Sequence, residues 1–573
     1  MQIPRPEHPR PGFYRETWQN LNGTWQFELD PGCSGDERGL AAVGRTLNSS
    51  ILVPYCPESK LSGVHNRDFM NGVWYKRTIH LDAVQGRVIL HFGAVDYRSC
   101  VYVNGKRVGN HKGGFASFEF DITRYVKEGE NEITVFASDD SRDRTIPSGK
   151  QSADYFSYGC SYSRTTGIWQ TVWLEFVPEN HIRRVKFDTS IHACTVSAEV
   201  QLEGAGDLTA EVTYEGRPMG SYHCANASGV LNFTIPLAEK HLWEIGHGRL
   251  YDVTLRFGDD TVETYFGMRQ VRMEGMKFLL NDRSVFQRLV LDQGFYPDGI
   301  YTAPTDADLI RDIQLALDAG FNGARPHEKV FEERYLYHAD RMGFIVWGEY
   351  ADWGADTTIL ENLHAILPEW LEIVNRDYNH PAIIGWCPRN ESHGWWHTLS
   401  GKGEENHHSN VELLYRVTKA LDPTRPCIDT SGFYHVVTDI FCVHDYEQDV
   451  QTFKERYDPL MTEGVLNDLL KNKQTYHGEP TFLSEYGGIP WLTDEKGWGY
   501  GKKNPPKTKE EFIERFRGLT DTLLDNYKMF GLCYTQLTDI EQEQNGLYTY
   551  QREPKFDMAV IRSIMSRKAA IED

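Results

Sequence analysis

The sequence predicts a multidomain protein with an N-terminal jelly roll (residues 1–180), an immunoglobulin-like β-sandwich (181–274) and a C-terminal (β/α)₈ TIM barrel (275–573). Three observations predict this order. The chain has 573 residues, which is enough for several domains. Short strand-like segments separated by turn residues fill the first half, a pattern typical of sandwiches and jelly rolls. Short apolar runs then alternate with helical patterns, which is typical of a barrel of parallel strands.

The N-terminal part consists of consecutive predicted strands. Val73–Leu81 and residues 88–92 are rich in β-branched and aromatic side chains. Asn104 and Gly105 follow a β-forming run and precede another, which is the strongest short-range signal for a hairpin. Residues 132–137 form a further predicted strand. We therefore expect antiparallel sheets throughout this part.

The next 95 or so residues continue the β pattern. Residues 196–202, 208–212 and 251–255 alternate apolar and polar side chains, as half-buried strands do. Their number and spacing predict an immunoglobulin-like sandwich.

The barrel prediction begins with a helix and depends on eight short apolar runs. Thr305 and Asp308 form a capping-box variant before an apolar helical face, and Gly320 is a helix stop. The gap between the fifth and sixth runs is too short for a regular helix, so we expect an irregular barrel there. The eight predicted strands lie near residues 286–291, 323–325, 344–347, 382–387, 427–428, 440–443, 481–483 and 532–535.

Composition restricts the classes of function. The net charge of −22 excludes a basic nucleic-acid-binding surface, and no apolar stretch has membrane-spanning length. Ten cysteines are scattered without a CxxC pair, which favours free thiols in a reducing compartment. The chain starts with Met and shows no apolar signal segment there, so we predict a cytoplasmic location.

Two glutamates point to the chemistry. Glu391 and Glu485 each stand at the end of an apolar run that predicts a buried strand. The carboxyl ends of barrel strands carry the reactive groups of barrel enzymes. Two carboxylates there suggest glycoside cleavage, which needs an acid/base together with a nucleophile or second base.

Longer motifs give these glutamates a context. The chain resembles glycoside hydrolase family 2, the family of β-galactosidases, β-glucuronidases and β-mannosidases, over nearly its whole length. The N-terminal motifs resemble the sugar-binding jelly roll of that family, and the barrel motifs resemble its acid/base and nucleophile signatures. The motifs are WQNLNGTW (18–25), VWY (73–75), GIWQTVWL (167–174), NHP (379–381), Asn390-Glu391 and SEYG (484–487).

The resemblance implies roles for the residues that match. It assigns Glu391 as general acid/base and Glu485 as nucleophile of a retaining mechanism. It implies that Asn390 binds the substrate 2-hydroxyl and that Tyr446 donates to the nucleophile. No cofactor is implied, no metal-ligand set is convincing, and a homo-oligomer is possible.

Further candidates for substrate binding follow from the same resemblance. Asp292 matches a carboxylate that contacts sugar hydroxyls, and Arg325 and His327 match residues near the bottom of the sugar subsite. Arg325 also has a purely structural interpretation, as the ion-pair partner of Glu485, Asp292 or Glu349. Four tryptophans after catalytic strands are candidate sugar-stacking residues, whereas Trp386 is expected in the core. The four are Trp395, Trp396, Trp491 and Trp498.

The segment after the last predicted strand departs from the family pattern. β-Glucuronidases of this family carry Asn-x-Lys there, whereas this chain has Glu543 and Asn545 at the matching positions. A carboxylate would repel a uronate, so these residues and Gln536 favour a neutral sugar. We predict an exo-acting β-galactosidase. A β-glucuronidase or other uronidase that uses Arg325, Arg389 or Lys329, an α-L-arabinofuranosidase and a non-catalytic carbohydrate-binding protein are the alternatives.

Overall fold

A computed structural model gives the fold. It describes residues 3–391, 408–433, 435–466, 474–493, 496–501 and 503–572. Within these ranges, every helix is too short or too polar to cross a lipid bilayer.

The N-terminal domain is a jelly roll of two large antiparallel sheets, with one further short two-stranded sheet. The strand orders of the two large sheets are β3-β2-β4-β10-β7-β8 and β1-β12-β5-β9. Alternating side chains such as Trp25, Val135 and Leu174 fill the space between the sheets. The loop 139–166 leaves this sandwich and reaches the barrel. The strands are β1 Trp18–Asn20, β2 Gly23–Leu29, β3 Ser49–Val53, β4 Val73–Leu81, β5 Arg87–Phe92, β6 Val95–Asp96, β7 Arg98–Val103, β8 Lys106–Lys112, β9 Phe118–Asp121, β10 Gly129–Ser138, β11 Gly167–Ile168 and β12 Val172–Val177. A 3₁₀ turn spans Thr123–Tyr125.

The second domain is the predicted immunoglobulin-like sandwich. Two predicted strands, 196–202 and 208–212, merge into the single bent strand β14. Its pairing with the following strand shifts register between Leu202 and Ala205 and again between Gly206 and Leu208. Gly204 and Gly206 lie at these two shifts. Gly204 has φ +84°, a conformation that accommodates such a bend without a side-chain clash. The strands are β13 His181–Ser190, β14 Thr195–Tyr214, β15 Arg217–Pro236, β16 Tyr251–Phe257 and β17 Asp260–Phe266.

The third domain is a barrel of parallel strands surrounded by helices. A short three-stranded sheet precedes it, formed by β18 Val271–Glu274, β19 Lys277–Leu280 and β20 Arg283–Ser284. The barrel strands are β21 Gln287–Asp292, β22 Gly323–Pro326, β23 Ile345–Glu349, β24 Ile383–Cys387, β25 Phe441–Asp445, β26 Thr481–Gly487 and β27 Met529–Thr535. The helices are α1 Asp306–Asp318, α2 Glu333–Met342, α3 Leu363–Asp377, α4 His408–Leu421, α5 Val450–Thr462, α6 Lys509–Leu524 and α7 Met558–Met565, with a 3₁₀ turn at Leu360–Asn362.

Seven of the eight predicted barrel strands are continuous. They are ordered β24-β23-β22-β21-β27-β26-β25. At the predicted fifth strand, only two isolated parallel bridges occur, Trp386 with Cys427 and Asn390 with Ser431. Pro426 lacks an N–H donor, which weakens a regular ladder at this position. The two bridges lie between β24 and β25 and place Ser431 beside the end of β24.

Candidate active site

The two glutamates lie at the mouth of the barrel. Glu485 belongs to β26 and is 3% exposed, whereas Glu391 follows β24 and is partly accessible. Glu391 has φ +45°, and its N–H donates to the carbonyl of Ser431 at 2.8 Å. One carboxylate oxygen of each glutamate and a ring nitrogen of His444 lie within 4.8 Å of one another. Two carboxylates this close match the separation of about 5–5.5 Å that a retaining mechanism requires.

Two side chains donate to Glu485, and the His444 ring lies close to it. The guanidinium of Arg325 donates to its Oε1 at 2.7 Å, and the Tyr446 hydroxyl donates to its Oε2. His444 Nδ1 is 3.4 Å from the same Oε2. Burial, together with the charges of Glu485 and Glu391 and the Tyr500 ring, raises the pKa of Tyr446 well above its usual value. The phenol therefore stays protonated and can only donate to the carboxylate.

His444 joins the two glutamates. Its Nδ1 is 2.6 Å from Glu391 Oε1, and its Nε2 is 3.1 Å from the Ser431 hydroxyl. Burial alone would lower the pKa of His444, but the carboxylates of Glu485 and Glu391 outweigh it and raise that pKa above the ordinary value. The imidazole is thus able to carry a proton beside Glu391 near neutral pH.

Arg325 is the ion-pair partner that the sequence suggested. Besides Glu485, its guanidinium contacts Glu349 at 2.5 Å and the Asn390 side-chain oxygen at 2.5 Å. Burial raises the pKa of Glu349 to about 7, although Arg325 opposes that change. Among the residues that the structure describes, the buried Asn390 Nδ2 finds no acceptor. It is therefore available to a ligand hydroxyl.

His327 lies near Oε1 of Glu485, whereas Tyr446 contacts Oε2. Its Nδ1 is 2.8 Å from Glu349, and its Nε2 is 3.8 Å from Glu485. Burial and the positive charges of Lys150, Arg325 and His444 lower its pKa well below the ordinary value. His327 is therefore neutral at physiological pH.

Asp292 and Trp491 are less directly connected to this group. Asp292 Oδ1 accepts from the Gly294 N–H at 2.9 Å, and its Oδ2 is buried with no partner in the described part of the chain. Burial and the charge of Asp312 raise the pKa of Asp292 to about 7. Trp491 packs edge-on against two phenylalanines beside α6, Phe512 and Phe556, and lies away from the cavity described below.

The other tryptophan predictions have separate outcomes. Trp386 is fully buried, as predicted, and donates to Asp422 at 2.7 Å. Trp498 lines the cavity. Trp395 and Trp396 lie outside the described residues.

The three residues predicted to select the sugar form part of a closed ring of hydrogen bonds. Gln536 donates to Asn545 at 2.8 Å, and Asn545 donates to Glu543 at 2.9 Å. The Tyr162 hydroxyl of the jelly roll donates to Glu543, and Gln293 donates to Tyr162 at 2.8 Å and to Gln536 at 2.6 Å. The side chains of Gln536, Asn545 and Glu543 are therefore satisfied within the ring, whereas the Gln293 side-chain oxygen is buried with no partner in the described part of the chain.

A cavity of about 590 Å³ lies against Glu391, with His444 and Tyr446 also in its lining. The jelly-roll loop 139–166 forms one wall, and loops of the barrel form the other. Aromatic side chains dominate the barrel wall, and Tyr158 and Cys160 belong to the loop. The large aromatic residues of the barrel wall include Trp353, Phe433, Trp498 and Tyr500.

Sequence reasoning did not select His444 or the jelly-roll residues Tyr162 and Lys150. His444 belongs to the strand end that carries Tyr446, so its position two residues earlier was the available signal. Tyr162 and Lys150 come from another domain, and no spacing in the sequence connects them to the barrel. The described residues Glu391, His444 and Glu485 could together ligate a small cation. The prediction of no metal site remains a prediction.

A parallel barrel with two close carboxylates at its strand ends, joined to a jelly roll and a sandwich, defines a glycoside hydrolase. Family models agree with this class. The model of the glycosyl hydrolases family 2 TIM barrel domain matches residues 272–569, the family's sugar binding domain matches 53–174, and a third family 2 model matches 180–269. The chain belongs to glycosyl hydrolases family 2.

Individual relatives differ in the activity named for them. A β-glucuronidase of Streptococcus agalactiae is 23% identical, covering 94% of each chain. A β-galactosidase of Thermoanaerobacter pseudethanolicus is 27% identical over 75% of this chain and 56% of its own. The chain spans between 56% and 98% of the length of the curated relatives that we compared. A Ruminococcus gnavus β-glucuronidase in complex with D-glucuronic acid has the same fold, with a TM-score of 0.79, 20% identity, and coverage of 98% of this chain and 100% of that one.

Proposed function

We propose that the protein is an exo-acting retaining β-glycosidase in which Glu485 is the nucleophile and Glu391 the acid/base. One observation carries the proposal: oxygens of the two carboxylates lie within 4.8 Å of each other, beside a cavity that Glu391 lines. The hydrogen-bonded ring at residues 536–545 is buried after the last barrel strand. We expect it to block the far end of the sugar subsite, which favours removal of a terminal sugar over internal cleavage.

The side-chain contacts suit both halves of a double displacement. Glu485 attacks the anomeric carbon while Glu391 gives its proton to the glycosidic oxygen, so the C–O bond breaks and the aglycone leaves as an alcohol. In the second step, Glu391 accepts a proton from water, which attacks the same carbon and releases Glu485. Arg325 and Tyr446 stabilise the carboxylate of Glu485 before and after the cycle.

His444 and Asn390 support the same cycle. The protonated imidazole can donate to Glu391 when that residue is ionised in the second step. The unpartnered Nδ2 of Asn390 can donate to the 2-hydroxyl of the sugar, a contact that strengthens in the transition state.

Two terminal sugars have specific support. A β-galactoside is favoured by Glu543 and Asn545, which bring no cation to the segment after β27. A β-glucuronide is favoured by relatives that cover nearly the whole chain and bear that name. Nitrophenyl glycosides of galactose, glucuronate, galacturonate, mannose, glucose, glucosamine and arabinose separate these outcomes by comparison of kcat/KM.

Azide rescue tests the assignment of the two glutamates. We expect Glu485→Gln to lower kcat by about 10⁴-fold or more, since the covalent route is lost. Azide should restore turnover of Glu485→Gly and give the α-glycosyl azide, whereas Glu391→Ala with azide should give the β-glycosyl azide. The exposed Glu128→Gln is the control and should retain full activity. Intact activity of both Glu485 variants would refute the proposal.

A further inference from the structure

Lys150 is brought to the active site by the jelly-roll loop 139–166. The N–H groups of Ser148 and Gly149 both donate to the Trp353 carbonyl, at 2.7 and 3.1 Å, and therefore attach the loop to the barrel after β23. Gly149 has φ +57°, and a Cβ there would lie 2.3 Å from the Glu328 carbonyl oxygen. Only glycine permits this close approach. The loop geometry thus fixes the backbone position from which the next side chain, that of Lys150, extends toward Trp353.

The Lys150 ammonium lies over the ring of Trp353, 4.2 Å from its centroid. That ring lines the cavity, and its N–H donates to the Asn390 carbonyl at 3.1 Å, next to Glu391. Lys150 is 5% exposed, and across the described ranges its ammonium makes no hydrogen bond and no ion pair within 4.0 Å. An ammonium on a side chain this buried has little access to water, so an acceptor supplied by a ligand would be favoured.

The electrostatic environment places this ammonium among the site residues. Burial alone would lower the pKa of Lys150, but the side chains of Cys160, Glu543, Glu485 and Glu391 raise it. Lys150 is therefore charged at neutral pH. After burial, the positive charge of Lys150 is the largest contribution to the lowered pKa of His327.

Two other charged residues near Lys150 already have partners. Arg325 is shared between Glu349 and Glu485. Both oxygens of Glu543 accept from neutral donors, Tyr162 and Asn545. Among the described residues, Lys150 therefore differs from Arg325 in keeping unused donors, and the acceptor that matches a buried cation best is a carboxylate.

We propose that Lys150 binds a carboxylate of the terminal sugar, so that the substrate is a β-linked uronide and the jelly roll supplies the cation that selects it. This inference rests on the proposed glycosidase function. The sequence argued against a uronide because positions 543 and 545 carry no cation. A cation supplied by Lys150 removes that argument. Glu543 does not oppose the inference, because the hydrogen-bonded ring engages both of its oxygens.

Paired substrates test the inference. We would measure kcat/KM for the nitrophenyl β-D-glucuronide and β-D-galacturonide, for their methyl esters, and for the matching β-D-glucoside and β-D-galactoside. We expect the wild-type protein to prefer a uronide over its methyl ester and its neutral counterpart by at least about tenfold. Lys150→Met should lower kcat/KM for the uronide by about 10- to 150-fold and for the neutral sugar by less than about threefold.

Two further variants make the result specific. Lys150→Arg keeps the charge and should recover part of the uronide activity. Lys106→Met, on the exposed β8 of the same domain, should leave all rates unchanged. Equal losses on charged and neutral substrates in Lys150→Met, or a wild-type preference for a neutral sugar, would overturn the inference.

A binding measurement on the wild-type protein covers the case in which Lys150→Met does not fold. D-glucuronate should inhibit at least about tenfold more strongly than D-glucose, and equal inhibition would overturn the inference. The proposed function is tested separately by Glu485→Gln. If that variant is inactive while the wild-type protein hydrolyses only neutral glycosides, the glycosidase mechanism holds and the role of Lys150 is wrong.

Discussion

At the scale of single residues, the hydroxyl of Tyr446 is the clearest support of Glu485. Because burial and Glu485 raise the pKa of this phenol, it donates at every physiological pH. We expect Tyr446→Phe to lower kcat by about 10- to 150-fold, the range for a lost hydrogen bond to a charged group. Steady-state kinetics with the best nitrophenyl glycoside measure this.

The control is Tyr527→Phe, an exposed tyrosine whose hydroxyl donates to the Met461 carbonyl at 2.9 Å. It should keep the wild-type kcat. A Tyr446→Phe protein with unchanged kcat and an unchanged unfolding midpoint would show that the nucleophile does not need the donor.

Part of the site could be predicted from the sequence because strand ends meet at one edge of a barrel. Glu391, Asn390 and Tyr446 follow buried strands, and Arg325 and Glu485 lie within such strands near their carboxyl ends. The structure brings all five together. The same reasoning could not foresee which polar groups would satisfy one another. Gln536, Glu543 and Asn545 were expected to face the sugar, yet they bond to each other and to Tyr162, a residue of another domain.

At the scale of elements, helix α3 attaches the barrel to the jelly roll through Glu369. One oxygen of this fully buried carboxylate accepts from the N–H groups of Phe115 and Ala116, at 2.6 and 3.2 Å. The other oxygen accepts from the Tyr350 hydroxyl at 2.6 Å. We expect Glu369→Leu to destabilise the protein by about 2–5 kcal/mol, because three buried donors lose their acceptor.

Thermal unfolding of Glu369→Leu, compared with that of the control variant Glu372→Leu, measures this effect. Glu372 lies one turn further along α3, is 41% exposed, and contacts only His111 at 2.9 Å among the described residues. A surface pair of this kind contributes about 0–1 kcal/mol. Equal decreases in the unfolding midpoint of the two variants would contradict a special role for Glu369.

Elements were predictable where local pattern and tertiary pairing agree. The Thr305–Asp308 cap and the Gly320 stop surround α1 as expected, and the apolar runs became barrel strands. The predicted fifth strand forms isolated bridges rather than a continuous strand. The residue before Cys427 is a proline, which supplies no N–H donor to the ladder. The merging of two sandwich strands into β14 depends on bends at glycines, for which alternation of apolar residues gives no signal.

At the scale of the whole molecule, a buried ionic chain joins the jelly roll to the sandwich. Arg15 contacts Asp260 of β17 at 2.9 Å and Glu175 of β12 at 3.2 Å. Glu175 continues the chain to His91, at 3.1 Å from Nε2. The relative placement of these domains therefore depends on charges whose state changes with pH.

The cytoplasmic location and the homo-oligomer remain predictions from the sequence.

His91 makes this junction sensitive to alkaline pH. Its ring stacks on Trp173 and contacts Glu175 and Glu119, at 3.1 and 3.2 Å. Burial alone would lower the pKa of His91, but these two glutamates raise it to about 9. Because the folded pKa exceeds the unfolded value of about 6.5, the stabilisation is complete below about pH 6.5 and is lost as the pH rises through about 9.

We therefore expect His91→Gln to destabilise the protein more at about pH 6 than at about pH 10. The loss of unfolding free energy should differ between the two pH values by about 1–3 kcal/mol. This range allows for solvent screening, because Glu119 is half-exposed. Thermal unfolding at both pH values measures the difference. His80→Gln, which replaces an exposed histidine of the same domain, should lower the midpoint equally little at both. A His91→Gln deficit that stays the same at both pH values would mean that the ring contributes packing against Trp173 rather than charge.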